Sequence, residues 1–250
     1  MENIVIIMAG GLGKRMQSSL PKVLHKILDK PMLVHVIEQA KQLKPIKILV
    51  VVGKYMSIIE KTLESYNVLH NVEFVIQHEA LGTGHAIQCC REHLNCNANV
   101  LILSGDVPLI KSNTLLEMIH DLEYARVMTT ILDEPNGYGR IIEVNGVFEK
   151  IVEEKDCNDQ ERLCKKTNAG IYAFYSNMLY KYLPYLTNNN AQNEYYLTDI
   201  VEIIKHNEHV NIELFNIPIE KQIELTGINT KKQLDDLNEN LSIIHSIIKN

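Results

Sequence analysis

A glycine-rich segment with basic residues follows the first apolar run of the sequence. It reads Met8-Ala9-Gly10-Gly11-Leu12-Gly13-Lys14-Arg15-Met16, and Pro21-Lys22-Val23-Leu24 comes soon after it. Glycines let backbone N–H groups approach an anion closely, and Lys14, Arg15 and Lys22 supply positive charge. The segment therefore predicts a cradle for a triphosphate. On its own it could also be a glycine turn with exposed basic residues.

Two common nucleotide-binding motifs do not match this segment. A dinucleotide loop requires G-x-G-x-x-G, and counting from Gly11 the last position is Met16. A Walker A loop requires glycine, four residues and then Gly-Lys-Ser/Thr, but Met8 and Arg15 occupy the first glycine and the hydroxyl positions. The spacing favours neither NAD nor a P-loop nucleotide.

The elements that must hold this loop are predicted by alternating apolar runs. Strands at 4–8, 46–52, 72–76 and 100–103 alternate with helices at 32–44, 57–65, 84–93 and 114–122. Such alternation is typical of βαβ units in a mostly parallel sheet with helices on both faces. The fold class is therefore α/β, and the glycine loop is its first strand-to-helix turn, where ligands usually bind.

In the second half of the chain, strands and helices no longer alternate. Strands are predicted at 127–132, 140–144, 147–152 and 169–174, with one helix at 177–183 after them and a tail helix at 231–249. Consecutive strands without helices predict a smaller antiparallel lobe and a cleft between the lobes. The predicted organisation is a single domain, 1–250, with one lobe at 1–126, a second at 127–229 and the tail helix closing the fold.

Composition excludes several functions. The 250 residues are 46% hydrophobic and carry a formal net charge of -6, so we expect no nucleic acid as a partner. No apolar run approaches the roughly 18 residues of a membrane span, and no secretion signal is visible. The five cysteines show no CxxC or zinc-type spacing. We expect a soluble, cytoplasmic protein without a membrane partner, either a monomer or a small homo-oligomer.

The motifs, taken in order, resemble those of the sugar-nucleotide pyrophosphorylases. The resemblance is strongest to the uridylyltransferase half of the bacterial bifunctional N-acetylglucosamine-1-phosphate uridyltransferases, and it covers essentially the whole chain. Besides the glycine loop, the matching blocks are Gln77 with Leu81-Gly82-Thr83-Gly84-His85-Ala86, Ser104-Gly105-Asp106-Val107-Pro108-Leu109, Gly137-Tyr138-Gly139-Arg140-Ile141, Ile151-Val152-Glu153-Glu154-Lys155-Asp156, Asn168-Ala169-Gly170-Ile171, Asn193-Glu194-Tyr195-Tyr196-Leu197-Thr198-Asp199 and Gly227-Ile228-Asn229.

The resemblance implies a Rossmann-like nucleotide-diphospho-sugar transferase fold and a set of site residues. It implies catalytic roles for Arg15, Lys22 and Asp106, and a Mg²⁺ ion held by Asp106 and Asn229, since Mg²⁺ prefers hard oxygen ligands. The implied nucleotide contacts are Met8, Ala9, Gly10, Gly11, Lys22, Gln77, Gly82, Thr83, Ser104, Gly105 and Asp106. The implied sugar contacts are Gly139, Glu153, Asn168 and Asn229, with the tyrosines of 193–199 beside the acetamido group.

The implied reaction transfers UMP from UTP to N-acetylglucosamine 1-phosphate and releases pyrophosphate. Its nucleophile is already an anion, so no general base is required. The chain shows no hexapeptide repeat, so we expect neither the acetyltransferase activity nor the trimer of the bifunctional proteins. Lys14 stands where threonine is usual and adds positive charge near the triphosphate. Ala169 also replaces a usual threonine, and this second change bears on sugar specificity.

Several alternatives stay open from the residues alone. Asp106 could be a turn residue, Asn229 a helix cap, and Glu153 with Glu154 a solvated acidic edge. Tyr195 and Tyr196 could be packing residues. A related transferase could use CTP, dTTP or glucose 1-phosphate, and a regulatory subunit or a nucleotide-binding module could keep the fold without the chemistry.

Overall fold

The computed structural model describes residues 1–11 and 13–249, without the side chains of Lys14 and of residues 244–249. The structure therefore does not describe the position of Leu12 or the charged group of Lys14. It also does not describe the packing of the apolar tail side chains of Ile244, Ile247 and Ile248. The strands are β1 (Glu2–Met8), β2 (Lys26–Ile27), β3 (Lys30–Pro31), β4 (Lys47–Val52), β5 (Val72–Ile76), β6 (Ala98–Ser104), β7 (Ala125–Ile131), β8 (Arg140–Val144), β9 (Val147–Val152), β10 (Lys166–Tyr175) and β11 (Glu213–Asn216).

Helices lie between most of these strands. They are α1 (Met32–Lys41), α2 (Met56–Ser65), α3 (Thr83–Gln88), α4 (Ser112–Ile119), α5 (Asp159–Arg162), α6 (Ser176–Tyr182), α7 (Asp199–Glu208) and α8 (Lys231–Lys249). Short 3-10 turns occupy Lys14–Met16, Lys22–Leu24, Arg91–Leu94, Leu183–Tyr185 and Ile219–Leu225. Over the described ranges, 1–11 and 13–249, no helix is both long and apolar enough to cross a bilayer.

The central sheet is mostly parallel, and its strand order is β11-β7-β10-β6-β1-β4-β5. Strands β5, β4, β1 and β6 run parallel to one another, so their carboxyl ends meet at one edge. Met8 at the end of β1 pairs with Val51 of β4 and with Ser104 of β6. The loops that follow these strands must therefore lie side by side, which is the edge where ligands bind in open α/β sheets.

The antiparallel part of the fold begins at β10. This strand pairs antiparallel with both β6 and β7, and β11 then extends the sheet parallel to β7. Strands β8 and β9 form a hairpin, and Arg140 of β8 pairs with Thr167 of β10. Strands β7 and β10, expected in the smaller lobe, thus lie within the main sheet, and the hairpin extends beyond it. The lobe boundary near residue 126 stays a prediction.

Both faces of the sheet are covered, as a parallel sheet requires. Successive residues of β1 point to opposite faces, so Ile4 and Ile6 belong to one apolar core, and Val5 and Ile7 belong to another. All four side chains are fully buried. The strand after which the glycine loop begins is therefore fixed on both sides.

The tail helix α8 packs beside the glycine loop rather than against the sheet alone. Leu234 and Leu237 share a third apolar core with Met16 and Ile27. The side chain of Asn238 also accepts a hydrogen bond from Leu28 N (2.6 Å) and donates one to Lys26 O (3.1 Å). The tail thus helps to hold the chain between the glycine loop and α1.

Several elements differ from those expected from the sequence. Helix α7 was not predicted, although Ile200, Val201 and Ile204 show helical spacing and are buried. The helix expected at 84–93 is split into α3 and the 3-10 turn Arg91–Leu94. Strand β10 begins three residues earlier than expected and contains a bulge between Asn168 and Tyr172.

The loop before α3 is pressed against the chain before α7. Tyr195 N donates to Leu81 O (2.8 Å), and Gly84 N donates to Tyr195 O (2.7 Å). Gly82 adopts φ = 112°, and a Cβ at this residue would lie 2.5 Å from Tyr195 O. The conformation and the space both require glycine.

We expect Gly82→Ala to lower the free energy of unfolding by about 2–4 kcal/mol, because the new methyl group meets hydrogen-bonded backbone and the φ angle is strained. Urea unfolding followed by circular dichroism measures the change. Gly146→Ala is the matched control, since Gly146 also has a positive φ of 77° but has open space around it. The control should lose only about 1 kcal/mol. Equal losses in the two variants would show that contact with Tyr195 is unimportant.

Candidate active site

Four polar side chains meet above the carboxyl ends of β1 and β6. The Lys22 ammonium forms an ion pair with Asp106 Oδ2, and it donates to Asn229 Oδ1 at 3.1 Å. Arg15 Nη2 donates to the same Asn229 oxygen, also at 3.1 Å. The structure thus brings together Arg15, Lys22, Asp106 and Asn229, which the sequence could relate only through the order of its motifs.

Asp106 is held by its own turn through its carboxylate and by a neighbouring loop through its backbone carbonyl. Ser104 Oγ donates to Asp106 Oδ1 at 2.5 Å, and Ile228 N donates to the Asp106 carbonyl at 2.9 Å. Asp106 is only 8% exposed. Asp106 thus lies in a turn, as its alternative interpretation expected, but its carboxylate is buried and held by Ser104 and Lys22.

Asn229 is held by a capping box at the start of α8. Gln233 Oε1 accepts from Asn229 N (2.8 Å) and Thr230 N (3.0 Å), and Thr230 Oγ1 accepts from Gln233 N (3.2 Å). Thr230 therefore caps the helix, and the helix-cap alternative for Asn229 is wrong. The Asn229 side chain is left to contact Lys22 and Arg15.

A cavity of about 270 Å³ lies over the glycine loop. Nine of the eleven residues predicted to contact the nucleotide line it: Met8, Gly10, Gly11, Lys22, Gln77, Gly82, Thr83, Ser104 and Asp106. Ala9 and Gly105 do not. They are buried behind it, where Ala9 N donates to Val51 O and Gly105 N donates to Met8 O.

A second cavity of about 380 Å³ adjoins the first. Met8, Thr83, Ser104 and Asp106 line both, so the two form one continuous cleft with Asp106 at the junction. The four predicted sugar contacts all line the second cavity: Gly139, Glu153, Asn168 and Asn229. Arg15 lines it as well.

Three of these sugar-side residues are held in mutual contact by the hairpin and β10. Asn168 N donates to Gly139 O (2.9 Å), and a Cβ on Gly139 would lie 3.6 Å from Glu153 Oε2. The bulge in β10 lets Asn168 Oδ1 accept from Gly170 N (3.0 Å) while its Nδ2 donates to Tyr172 Oη (2.6 Å). These contacts fix the three residues relative to one another.

Adjacent Glu153 and Glu154 have separate environments. Glu154 pairs with the buried Arg140 (2.7 Å) and with Arg162 (2.9 Å). Glu153 instead lines the second cavity and accepts from Thr198 Oγ1 at 3.0 Å. The alternative of a solvated acidic edge is therefore wrong for this pair.

Carboxyl groups near the second cavity have raised pKa values. Burial raises the pKa of Glu153, and the carboxylates of Asp156 and Glu194 add to this effect while the Thr198 hydrogen bond opposes it. Burial, with Glu202, Glu153 and Asp156, raises the pKa of Asp199 to about 6. Glu153, Asp156 and Asp199 are therefore close enough to repel one another when ionised.

Tyr195 and Tyr196 make contacts within the protein instead of forming a wall of the sugar pocket. Tyr196 is buried, and its hydroxyl donates to Asp156 Oδ2 (3.1 Å) and accepts from Gln192 (3.0 Å). The Tyr195 ring lies 6.2 Å from the His85 ring. Among the described lining residues of the two cavities neither tyrosine occurs, which agrees with the packing alternative.

Mg²⁺ fits the oxygens at the junction of the cavities. The carboxylate of Asp106 and the amide oxygen of Asn229 already share one cation, the Lys22 ammonium. Over the described residues there is no cluster of three or more His, Cys, Asp or Glu side chains that could hold a metal by itself. Two protein oxygens completed by substrate phosphates and water are a usual Mg²⁺ arrangement.

Three residues that are not among the predicted site residues support the site. Thr198 donates to Glu153, Gln233 anchors the Asn229 loop, and His85 contacts the amide of Gln77. The capping box was readable, since Thr230 and Gln233 have the S/T-x-x-E/Q spacing before an apolar face. No local sequence pattern indicated Thr198 or His85, because each supports the site through a side-chain contact that only the folded chain forms.

Comparisons with known proteins agree with this geometry. Residues 5–196 match the model of the MobA-like NTP transferase domain. The chain is 44% identical over 237 residues to a protein of Acanthamoeba polyphaga mimivirus named probable UDP-N-acetylglucosamine pyrophosphorylase, covering 92% of this chain and 93% of that one. It is 40% identical over 243 residues to the bifunctional protein GlmU of Clostridium tetani, but it spans only 52% of that protein.

Solved structures share the fold at low sequence identity. A UDP-glucose pyrophosphorylase complexed with UDP-glucose has a TM-score of 0.71 and 19% identity, covering 97% of this chain and 99% of its own. An apo UDP-glucose pyrophosphorylase has the same TM-score at 18% identity, covering 98% of this chain and 100% of its own. The predicted α/β class, with a mostly parallel sheet and a smaller antiparallel part, is confirmed.

The raised pKa of Asp199 predicts a pH-dependent stability. Because the folded-state pKa of about 6 lies above the ordinary value of 3.8, the native state holds the proton more tightly, and stability falls as pH rises from about 4 to 6. Asp199→Asn should remove this loss and raise stability at pH 7.5 by on the order of 1 kcal/mol, but not at pH 4.

Urea unfolding at pH 4 and pH 7.5 measures this effect. Asp159→Asn is the matched control, because Asp159 is exposed and is likewise the first residue of a helix. The control should show no such gain at pH 7.5. The same pH dependence in the wild type and in Asp199→Asn would contradict the prediction.

Proposed function

Because this chain belongs to the MobA-like NTP transferase family and matches a UDP-N-acetylglucosamine pyrophosphorylase along most of its length, we propose that it transfers UMP from UTP to N-acetylglucosamine 1-phosphate. The chain is a sugar-1-phosphate nucleotidyltransferase. The choice of base, the choice of sugar and the residue roles given below are proposals. The products would be UDP-N-acetylglucosamine and pyrophosphate.

One observation carries the proposal more than any other. Arg15, Lys22, Asp106 and Asn229 meet where the two cavities join, with the glycine loop on one side and Glu153 and Asn168 on the other. A nucleoside triphosphate in the first cavity and a sugar phosphate in the second would bring their phosphates to this cluster. The arrangement supports transfer of a nucleotidyl group between two phosphate compounds.

The proposed step requires no covalent intermediate between the protein and a substrate. A phosphate oxygen of the sugar 1-phosphate attacks the α-phosphorus of UTP, and pyrophosphate leaves from the opposite side. The nucleophile is an anion at neutral pH, so no side chain has to remove a proton. Lys22 and Arg15 would hold the phosphates in line and stabilise the negative charge of the transition state.

Asp106 and Asn229 would hold Mg²⁺ through one carboxylate oxygen and one amide oxygen. When bound, Mg²⁺ would neutralise part of the negative charge on the phosphates of the substrates. Lys22 contacts both of these oxygens in the present structure. When a substrate binds together with a metal ion, the Lys22 ammonium would therefore have to share these two oxygens or move away from them.

Base and sugar recognition would be divided between the two cavities. Gln77, Gly82 and Thr83 would contact uracil in the first, and Gly139, Glu153 and Asn168 would contact the sugar in the second. Small molecules alone are the proposed partners, without nucleic acid or membrane. A cytoplasmic location and a monomeric or small oligomeric state stay predictions.

Pyrophosphate release on mixing the protein with Mg²⁺, UTP and N-acetylglucosamine 1-phosphate tests the proposal. Glucose 1-phosphate, and the triphosphates CTP, dTTP and ATP, serve as competing substrates in parallel reactions. We expect the highest kcat/KM with UTP and the N-acetylated sugar. Preference for another base or sugar would overturn the proposed specificity, and no release with any pair would favour a binding or regulatory protein.

Lys22→Met and Asp106→Asn should each lower kcat by about 10²- to 10³-fold, because each removes charge that stabilises the transition state. Steady-state pyrophosphate release measures the loss, and circular dichroism checks folding. Lys26→Met is the matched control, since Lys26 is an exposed lysine four residues along the same segment. Near-normal turnover by either site variant would refute its assigned role.

A further inference from the structure

The side-chain amide of Gln77 has only one orientation compatible with its neighbours. One of its two outer atoms lies 3.0 Å from the carbonyl oxygen of Gly82, and this atom must be nitrogen because a carbonyl oxygen can only accept. The same Nε2 lies 3.1 Å from Nδ1 of His85. An amide nitrogen has two N–H groups, so both are engaged by the protein.

This orientation also fixes the state of the His85 ring. Since the amide nitrogen is a donor, Nδ1 of His85 has to be the unprotonated nitrogen that accepts. The neutral ring then carries its proton on Nε2. His85 is thus the second of two acceptors that hold the Gln77 amide.

The two acceptors are themselves fixed relative to each other. Gly82 precedes α3, and His85 lies in its first turn. The chain at 195–197 holds this turn through Gly84 N to Tyr195 O (2.7 Å) and Leu197 N to Thr83 Oγ1 (3.1 Å). Gly82 lies close to the same chain, since a Cβ added to it would be 2.5 Å from Tyr195 O.

Only the carbonyl oxygen of Gln77 is left for a ligand. Gln77 lines the first cavity, and its Oε1 lies 3.5 Å from the position that a Cβ on Gly10 would occupy. The oxygen is therefore directed toward the glycine loop, where Gly10 leaves it uncovered. A base entering this cavity would meet an acceptor at Gln77 and no donor.

We propose that His85 is a positioning residue for base selection: it fixes the Gln77 amide with its oxygen toward the base and thereby favours UTP over CTP. This inference rests on the proposed function, because it assumes that the base binds beside Gln77. The contact with His85 adds to the contact with Gly82, and together they decide which end of the amide is presented.

The chemistry of the pyrimidine edge makes the inference specific. N3 of uracil carries a hydrogen and can donate to the Gln77 oxygen, whereas N3 of cytosine is an acceptor and would face the oxygen with a lone pair. Thymine has the same N3–H as uracil. A fixed Gln77 oxygen should therefore discriminate against cytosine without distinguishing uracil from thymine.

Removing the His85 acceptor should relax this discrimination. One N–H of Gln77 would then be unpaired, and the amide would be held only by its hydrogen bond to Gly82 O. Rotation of the amide would break one hydrogen bond instead of two, so the rotated state would become more populated. In that state Nε2 would face the base and could donate to N3 of cytosine. The loss of selectivity should appear for the UTP and CTP pair alone.

The test compares kcat/KM for UTP, CTP and dTTP with N-acetylglucosamine 1-phosphate as the common substrate. His85→Leu removes the acceptor, and His85→Phe removes it while keeping an aromatic ring beside Tyr195. His85→Asn restores a side-chain oxygen near the position of Nδ1. His93→Leu is the matched control, because His93 lies in the 3-10 turn Arg91–Leu94 that follows α3 and pairs with Glu73 instead.

We expect the ratio of UTP to CTP to fall about tenfold or more in His85→Leu and His85→Phe, the size of one lost discriminating hydrogen bond. His85→Asn should recover most of this ratio, and His93→Leu should keep it. The ratio of UTP to dTTP should stay within about twofold of the wild type in every variant. A general structural defect would not separate the two ratios in this way.

Two outcomes would overturn the inference. If folded His85→Leu or His85→Phe kept the wild-type ratio of UTP to CTP, His85 would not set the base preference, and the proposed function would be unaffected. If the wild-type protein preferred CTP to UTP, both the proposed substrate and the role of His85 would be wrong.

Discussion

A single cation, the Lys22 ammonium, joins the parts of this molecule that its chemistry requires. It contacts Asp106 and Asn229, which are 84 and 207 residues away along the chain. One partner follows the strand next to β1, and the other precedes the tail helix. The sheet edge, the glycine loop and the tail must all be in place before these three side chains can meet.

The supporting structure explains why this meeting is possible. Parallel pairing of β1 with β6 brings the end of each strand to the same edge, so Asp106 emerges beside the glycine loop. The backbone bond from Ile228 to Asp106 and the capping box of Gln233 bring the Asn229 loop to the same point. Helix α8 therefore does more than cover the sheet, because its first turn orients a residue of the site.

Side-chain orientation, more than residue type, determines which polar groups face the cleft. Gln77 can donate or accept, yet Gly82 and His85 leave only its oxygen available. Glu153 and Glu154 are chemically alike, yet one lines the second cavity and the other is paired with arginines. Such choices make a fixed surface for a ligand, which lowers the ordering cost of binding.

The sequence by itself determined the α/β class and most strands, because β1, β4 and β6 are short, nearly continuous apolar runs separated by helical stretches. It also gave most residues of the cleft through the order of its motifs. Tertiary structure alone decided that Glu154 leaves the site and that His85 holds Gln77. These choices depend on partners distant in sequence or on side-chain direction, which local pattern does not encode.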